Sequence, residues 1–200
     1  MSEIEYVLDF WLGASGADGA LDPARRKMWF GDGRRYDAEI RKRFDALHER
    51  GSSGGLERDW GRSARGRLAL ILLLDQFSRH IHRGTARAFA QDEIAQRLAT
   101  DGVERGIDAE LIPAGRAFFY MPLEHAENAV LQRLSVRCFE ELTHEVAPGW
   151  RKDYDGFIDY ACRHREIIER FGRFPHRNAV LARASTAEEI EFLGKPGSSF

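Results

Sequence analysis

The sequence predicts an all-α protein, and three observations carry that prediction. Apolar residues recur at three- and four-residue intervals along nearly all of the 200 residues. Helix start and stop signals punctuate those runs, and no stretch alternates apolar with polar residues as a half-buried strand would.

The elements follow in order. "IEYVLDFWL" (Ile4 to Leu12) is a short amphipathic helix stopped by Gly13. Asp22 followed by Pro23 is an N-cap with proline at the first helical position, so "DPARRKMWF" opens a second helix that Gly31 and Gly33 end. Tyr36 to His48 carries Ile40, Phe44 and Leu47 at helical spacing and closes at Gly51. "GSSGG" is a loop. From Leu56 to His82 the pattern predicts one long helix whose centre, "LALILLL", is apolar all round and therefore covered on several sides. "RGTARAFAQD" reads as a connector, Glu93 to Glu104 as a helix, and Asp108 to Phe119 holds another.

Pro122 at N1 with Glu124 in the first turn predicts a helix starting at Met121 and stopping before Pro148-Gly149. Trp150 to Phe171 and Pro175 to Ala184 are the next two. The last starts at a capping box, Ser185-x-x-Glu188. Eight or nine helices joined by short turns should pack as antiparallel helical hairpins. The expected architecture is a tetratricopeptide-like right-handed array, although no 34-residue internal repeat is visible. Residues 1–194 are expected as a single all-helical domain and 195–200 as a disordered tail.

Composition narrows the function. Lys plus Arg is 30 and Asp plus Glu 32, a net charge of −2, which argues against nucleic acid or an anionic membrane as partner. Cys138 and Cys162 have no C-x-x-C partner, so neither a zinc knuckle nor a disulfide framework is expected. The N-terminus lacks a basic secretory n-region, and the longest apolar run, Leu68 to Leu74, is too short to span a bilayer. A cytoplasmic protein is the expectation; oligomeric state is not readable.

Four constellations could carry chemistry. Asp75, Arg79 and Arg83 lie at i, i+4 and i+8, with Arg87 beyond. Either Asp75 and Arg79 form an intrahelical pair, or the three arginines line an anion pocket that Asp75 orients. Glu124, Asn128 and Gln132 share a stripe with His125 beside it, a carboxylate and an imidazole suited to acid–base work. His164 falls on the apolar stripe Phe157, Ala161, Ile168, Phe171 and points inward.

The fourth is "RFGRFPHRN". Gly172, Phe174 and Pro175 build a corner between helices. Arg173, His176, Arg177 and Asn178 remain to be explained, either by internal carboxylates such as Asp75, Glu124 or Glu127, or by an exogenous anion. No metal and no cofactor is expected: there is no H-E-x-x-H, and Glu141-x-x-His144 stands alone.

"LLDQFSRHIHRGTARAFAQD", "FFYMPLEHAENAVLQ" and "HREIIERFGRFPHRNAVLARASTAEEIEFL" resemble the signature blocks of a bacterial family, domain of unknown function 924. "VLDFWLG" and "MWFGDGRRYDAEIRKRF" match its N-terminal part. The family usually has glycine where this chain has Ala182. The resemblance implies a single all-helical domain of the tetratricopeptide-like superfamily and brings no catalytic residues with it.

Three functional readings follow. The first is a helical scaffold that recognises a peptide or small anionic ligand through an Arg/His-rich groove. The second is an enzyme or sensor acting on an anionic small molecule, phosphorylated compounds included, with arginine clamps and a histidine acid/base. The third is a buried polar network with a purely structural role.

Overall fold

The computed structural model describes residues 1–198, which form helices joined by turns with no strand among them. Ser2 caps α1 (Glu3–Leu12) by accepting from the Glu5 N–H, and Gly13 ends it at φ +56°. Asp22 caps α2 (Pro23–Phe30) through the Ala24 and Arg25 N–H groups. Helix α3 (Asp37–Ser52) follows, then the single turn α4 (Glu57–Trp60).

The predicted long helix is interrupted, because Gly61 follows α4 and Ser63 starts afresh as N-cap of α5 (Ala64–Ile71). From Ala64 the chain stays helical to the end of α6 (Ser78–Ile81), but Leu72–Phe77 is wound as a π-helix. Wider turns of this kind are rare and concentrate at functional sites; this one contains Asp75 and Gln76. Leu68 to Leu74 are at most 1% exposed, with α1, α3, α7 (Asp92–Glu104) and α8 (Pro113–Glu124) packed around them. Burying each such leucine contributes roughly 1.5–3 kcal/mol.

Pro122 does not start a helix. The start is Pro113, after an extended Ile112, and Pro122 lies inside α8. The chain breaks at His125, and Asn128 caps α9 (Ala129–Glu145) by accepting from the Val130 and Leu131 N–H groups. Glu124 therefore sits in the last turn of a helix, not the first, where the unpaired carbonyls disfavour a negative charge.

Helix α10 (Arg151–Phe171) packs along α9, and α9 along α8. Gly172 ends α10 in the left-handed conformation, φ +69°, as its position after Phe171 predicts. The helix expected from Pro175 to Ala184 is only a 3-10 turn, Pro175–Arg177, followed by turns. The capping box of α11 (Ala187–Leu193) is Thr186 and Glu189, one residue later than expected. Ser185 instead accepts from Asn178 at 3.0 Å.

Ala182 has φ +52°, the one positive φ at a non-glycine among the described residues. The position wants glycine for its backbone conformation. At the end of the chain, Ser198 Oγ donates to the Leu193 carbonyl at 3.2 Å. Ser199 and Phe200 of the expected tail lie outside the described residues. No helix of the described residues is long and apolar enough to cross a membrane.

Candidate functional site

Helices α2, α8 and α10 and the π-turn enclose a cavity of about 660 Å³. Trp29, Phe30, Phe118, Met121, Phe157 and Tyr160 form its apolar walls, with Arg26, Lys27 and Asp153 also on the lining. Gln76, Glu124, His125 and His164 supply its polar groups. Phe30 and Tyr160 are 54% and 46% exposed, so they stand at the mouth.

Behind the polar groups lies a buried ionic network. Asp75 is fully buried, with His125 Nδ1 at 2.8 Å and Arg79 Nη1 at 3.1 Å, and it accepts from the Gln76 side-chain amide. Burial raises its pKa, but the Arg79 charge and His125 outweigh that and hold the carboxyl below its usual range. Since Asp75 stays ionised it must accept, so His125 Nδ1 carries the proton and Nε2 is left as the basic nitrogen.

Arg79 also grips Asp92 with two hydrogen bonds, 3.1 and 3.2 Å. Arg177 reaches Asp92 at 3.5 Å and donates to the His125 carbonyl at 3.0 Å. The Arg177 guanidinium lies 4.3 Å from the Phe174 ring centroid and 4.8 Å from that of Phe89. Burial, then the Arg79 charge, brings its pKa down to about 10, so it remains a cation at neutral pH. Asp75, Asp92, Arg79 and Arg177 thus cancel in charge.

Glu124 is the exception to this pairing. It is 3% exposed, and burial together with the Asp75 charge pushes its pKa up to about 8. Its Oε1 is 3.3 Å from His164 Nδ1, while Oε2 is buried with no hydrogen-bond partner. The Glu124–His164 approach has the geometry of an ion pair but not its charges. His164 is driven down to about 3 by burial and then by His125, so both groups are neutral at pH 7. His164 Nδ1 donates to the Tyr160 carbonyl at 2.8 Å, which fixes the ring.

The structure brings Asp75, Arg79, Glu124, His125, His164 and Arg177 together. His176 is adjacent, 5.6 Å from the Phe174 ring, and burial then the Arg177 charge take its pKa to about 4. The other five do not join them. Arg83 pairs with Asp37, and Arg87 with Glu49. Asn128 caps α9. Arg173 makes a two-pronged pair with Glu189, 2.7 and 2.8 Å, and Asn178 also donates to Glu189.

The arginines of "RFGRFPHRN" are therefore answered from within, by Glu188, Glu189 and Asp92, while Glu127 accepts from the Phe174 N–H and pairs with Arg183. Sequence reasoning missed Asp92, Gln76 and the aromatic walls. Asp92 is a first-turn acid at the end of the "RGTARAFAQD" block, its only local signal.

The chain matches, over residues 7–197, the model of a family described as bacterial protein of unknown function, DUF924. It is also similar to a solved structure of a protein of unknown function from Agrobacterium tumefaciens. The two share 34% identity over 95% of this chain and 96% of that one, with a TM-score of 0.78. Among curated proteins none matches.

Proposed function

We propose, for a chain that belongs to the bacterial DUF924 family and takes no activity from it, a general acid–base enzyme working on a small molecule in the aromatic cavity. One observation carries this: Glu124, protonated at neutral pH with an unpaired buried Oε2, stands next to His125, whose basic nitrogen is set by Asp75. Neighbouring groups whose environments give them opposite protonation states are the usual arrangement of an acid and a base. In this reading His125 Nε2 removes a proton and Glu124 delivers one. No Ser, Thr or Cys nucleophile lines the cavity, and the Glu124–His125 pair favours proton transfer or water activation.

A cavity of about 660 Å³ suits a small molecule better than a peptide. Its apolar walls favour an aromatic or aliphatic body with a polar head directed to Glu124 and His125. Arg79, Arg83, Arg87, Arg173 and Arg177 are occupied by Asp75, Asp92, Asp37, Glu49 and Glu189, so none of them is left to hold an anionic head, and we take the head group as neutral. The Asp75–Arg79–Asp92–Arg177 network is the structural part of the site and holds His125 in place. We place the chain in the cytoplasm on the strength of its two unpaired cysteines, and retain the tetratricopeptide-like reading of the helix array as part of the same proposal.

The test is a thermal-shift screen with small neutral amides, esters and ketones bearing an aromatic or aliphatic group, followed by turnover assays on the hits. Turnover should fall at least ~100-fold in both His125→Gln and Glu124→Gln. Its pH profile should drop above about 8, where Glu124 ionises, and on the acid side as His125 takes up a proton. Binding without turnover would return the protein to a binding scaffold. Turnover unchanged in both variants would refute the assignment.

A further inference from the structure

On another side of the molecule, α3 and the end of α6 bring His48, Glu49 and His82 together. One ligating atom of each lies within 4.8 Å of the others. We propose that these three side chains form a binding site for a divalent transition metal of the zinc class, clipping α3 to the turn that follows α6. No function is assigned to any of the three by the acid–base cavity, and none lines it.

The two rings are prepared for a metal. His48 is 2% exposed and its Nε2 is 2.7 Å from Ser78 Oγ, a serine that is itself fully buried. With Nε2–H donating to that hydroxyl, Nδ1 presents a lone pair. Nδ1 of His48 and Nε2 of His82 are both buried without a hydrogen-bond partner. Buried nitrogens normally find partners, and two orphans on facing rings have one common solution.

The ring centroids are 5.0 Å apart at an interplanar angle of 66°. Two imidazoles bound at ~2.0–2.1 Å to one tetrahedral ion have centroids roughly 5 Å apart.

Glu49 supplies the third ligand. Arg87 holds its Oε1 at 2.7 Å, which leaves Oε2 for the ion. An outer partner that orients a ligating carboxylate or imidazole is the common companion of such sites, and Ser78 and Arg87 fill those places. Two histidines and a glutamate leave the fourth position to water, with Asp45 one turn before His48 on α3 adding negative charge felt by both rings. Imidazole with one carboxylate favours zinc over magnesium or calcium, which prefer all-oxygen shells.

The experiment uses the full chain, stripped with chelator and titrated with zinc chloride against a chromogenic competitor. One ion per chain should bind in the micromolar range or tighter, and the apparent Tm should rise with zinc. His82→Gln, at a half-buried position, should weaken binding at least ~10-fold without unfolding the chain, and so should Glu49→Gln. His144→Gln, at an exposed histidine on α9, is the control and should change nothing. Cobalt(II) should give the intense visible band of a tetrahedral site, lost in His82→Gln. Binding equal in the wild type and His82→Gln, or no binding at one per chain, would overturn the proposal.

Discussion

Replacing Glu124 by Gln should make the protein more stable, and only above a certain pH. The wild-type carboxyl has its pKa raised from 4.5 to about 8 by burial and by Asp75. For a group whose pKa is raised on folding, its favourable contribution is complete below the unfolded value and is lost as pH rises toward the folded one. Between pH 4.5 and about 8 the unfolded chain ionises at this residue while the folded chain does not. At 1.36 kcal/mol per unit, the penalty reaches on the order of 5 kcal/mol at pH 8 and about 3 kcal/mol at pH 7. Glutamine has the shape of the protonated acid and cannot ionise, so it escapes the penalty.

The assay is urea unfolding of both proteins by tryptophan fluorescence at pH 5, 6, 7 and 8. The difference in stability should be small at pH 5, grow by about 1.4 kcal/mol per pH unit, and level off above pH 8. Taking the difference cancels the other titrating groups, His164 and His176 among them. A difference that is flat across the range, or a variant that is the less stable at pH 8, would refute the reasoning. A residue that weakens the fold at neutral pH and is needed for turnover is the trade-off expected of an active site, and a purely structural network has no use for it.

Other perturbations have equally definite outcomes. Asp75→Asn removes a fully buried charge while Arg79 keeps Asp92, so stability at pH 7 should fall by about 3 kcal/mol, and the Glu124 midpoint should move down because Asp75 helps to raise it. A loss below ~1 kcal/mol would show that the network is not held by charge. Ala182→Gly relieves a left-handed alanine and should stabilise by about 1 kcal/mol, a rise of roughly 2–4 °C in Tm by calorimetry; a lower Tm would contradict the strain. Gly102→Ala should cost about 1–3 kcal/mol in urea unfolding, since the new methyl would press on Phe119 Cε1 at 2.7 Å and that ring is fully buried. A neutral result would mean that Phe119 can move.

Most helices are legible because their signals are local. Asp22-Pro23 and Gly172 place their ends to the residue. Pro122 misleads because two helix starts compete, Pro113 and Pro122, and what decides is the break at His125 with Asn128 as the next cap. The site was legible where burial follows from the pattern: Asp75 next to the leucine run, His164 on the apolar stripe, Glu124 beside His125. The arginine stripe failed at Arg83 because α6 stops at Ile81 and Gly84 takes a positive φ, so i, i+4, i+8 spacing no longer describes one face.

Asp92 was hidden because its two arginines are 13 and 85 residues away. The cavity walls come from Phe30, Phe118 and Phe157, contributed by three separate helices, and no local pattern joins them. His48 and His82 likewise meet only across α3 and α6.

The sharing of Asp92 between Arg79 and Arg177 also sets an order of events during synthesis. Arg79 and Asp92 leave the ribosome together, whereas Arg177 is made 85 residues later. At ~5–20 residues per second that is a wait of roughly 4–17 s. Through that interval Arg79 alone faces both Asp75 and Asp92, so the network stands one cation short until Arg177 arrives. The His125 carbonyl likewise has to await the corner at Arg177, and the site becomes complete only once that residue has emerged.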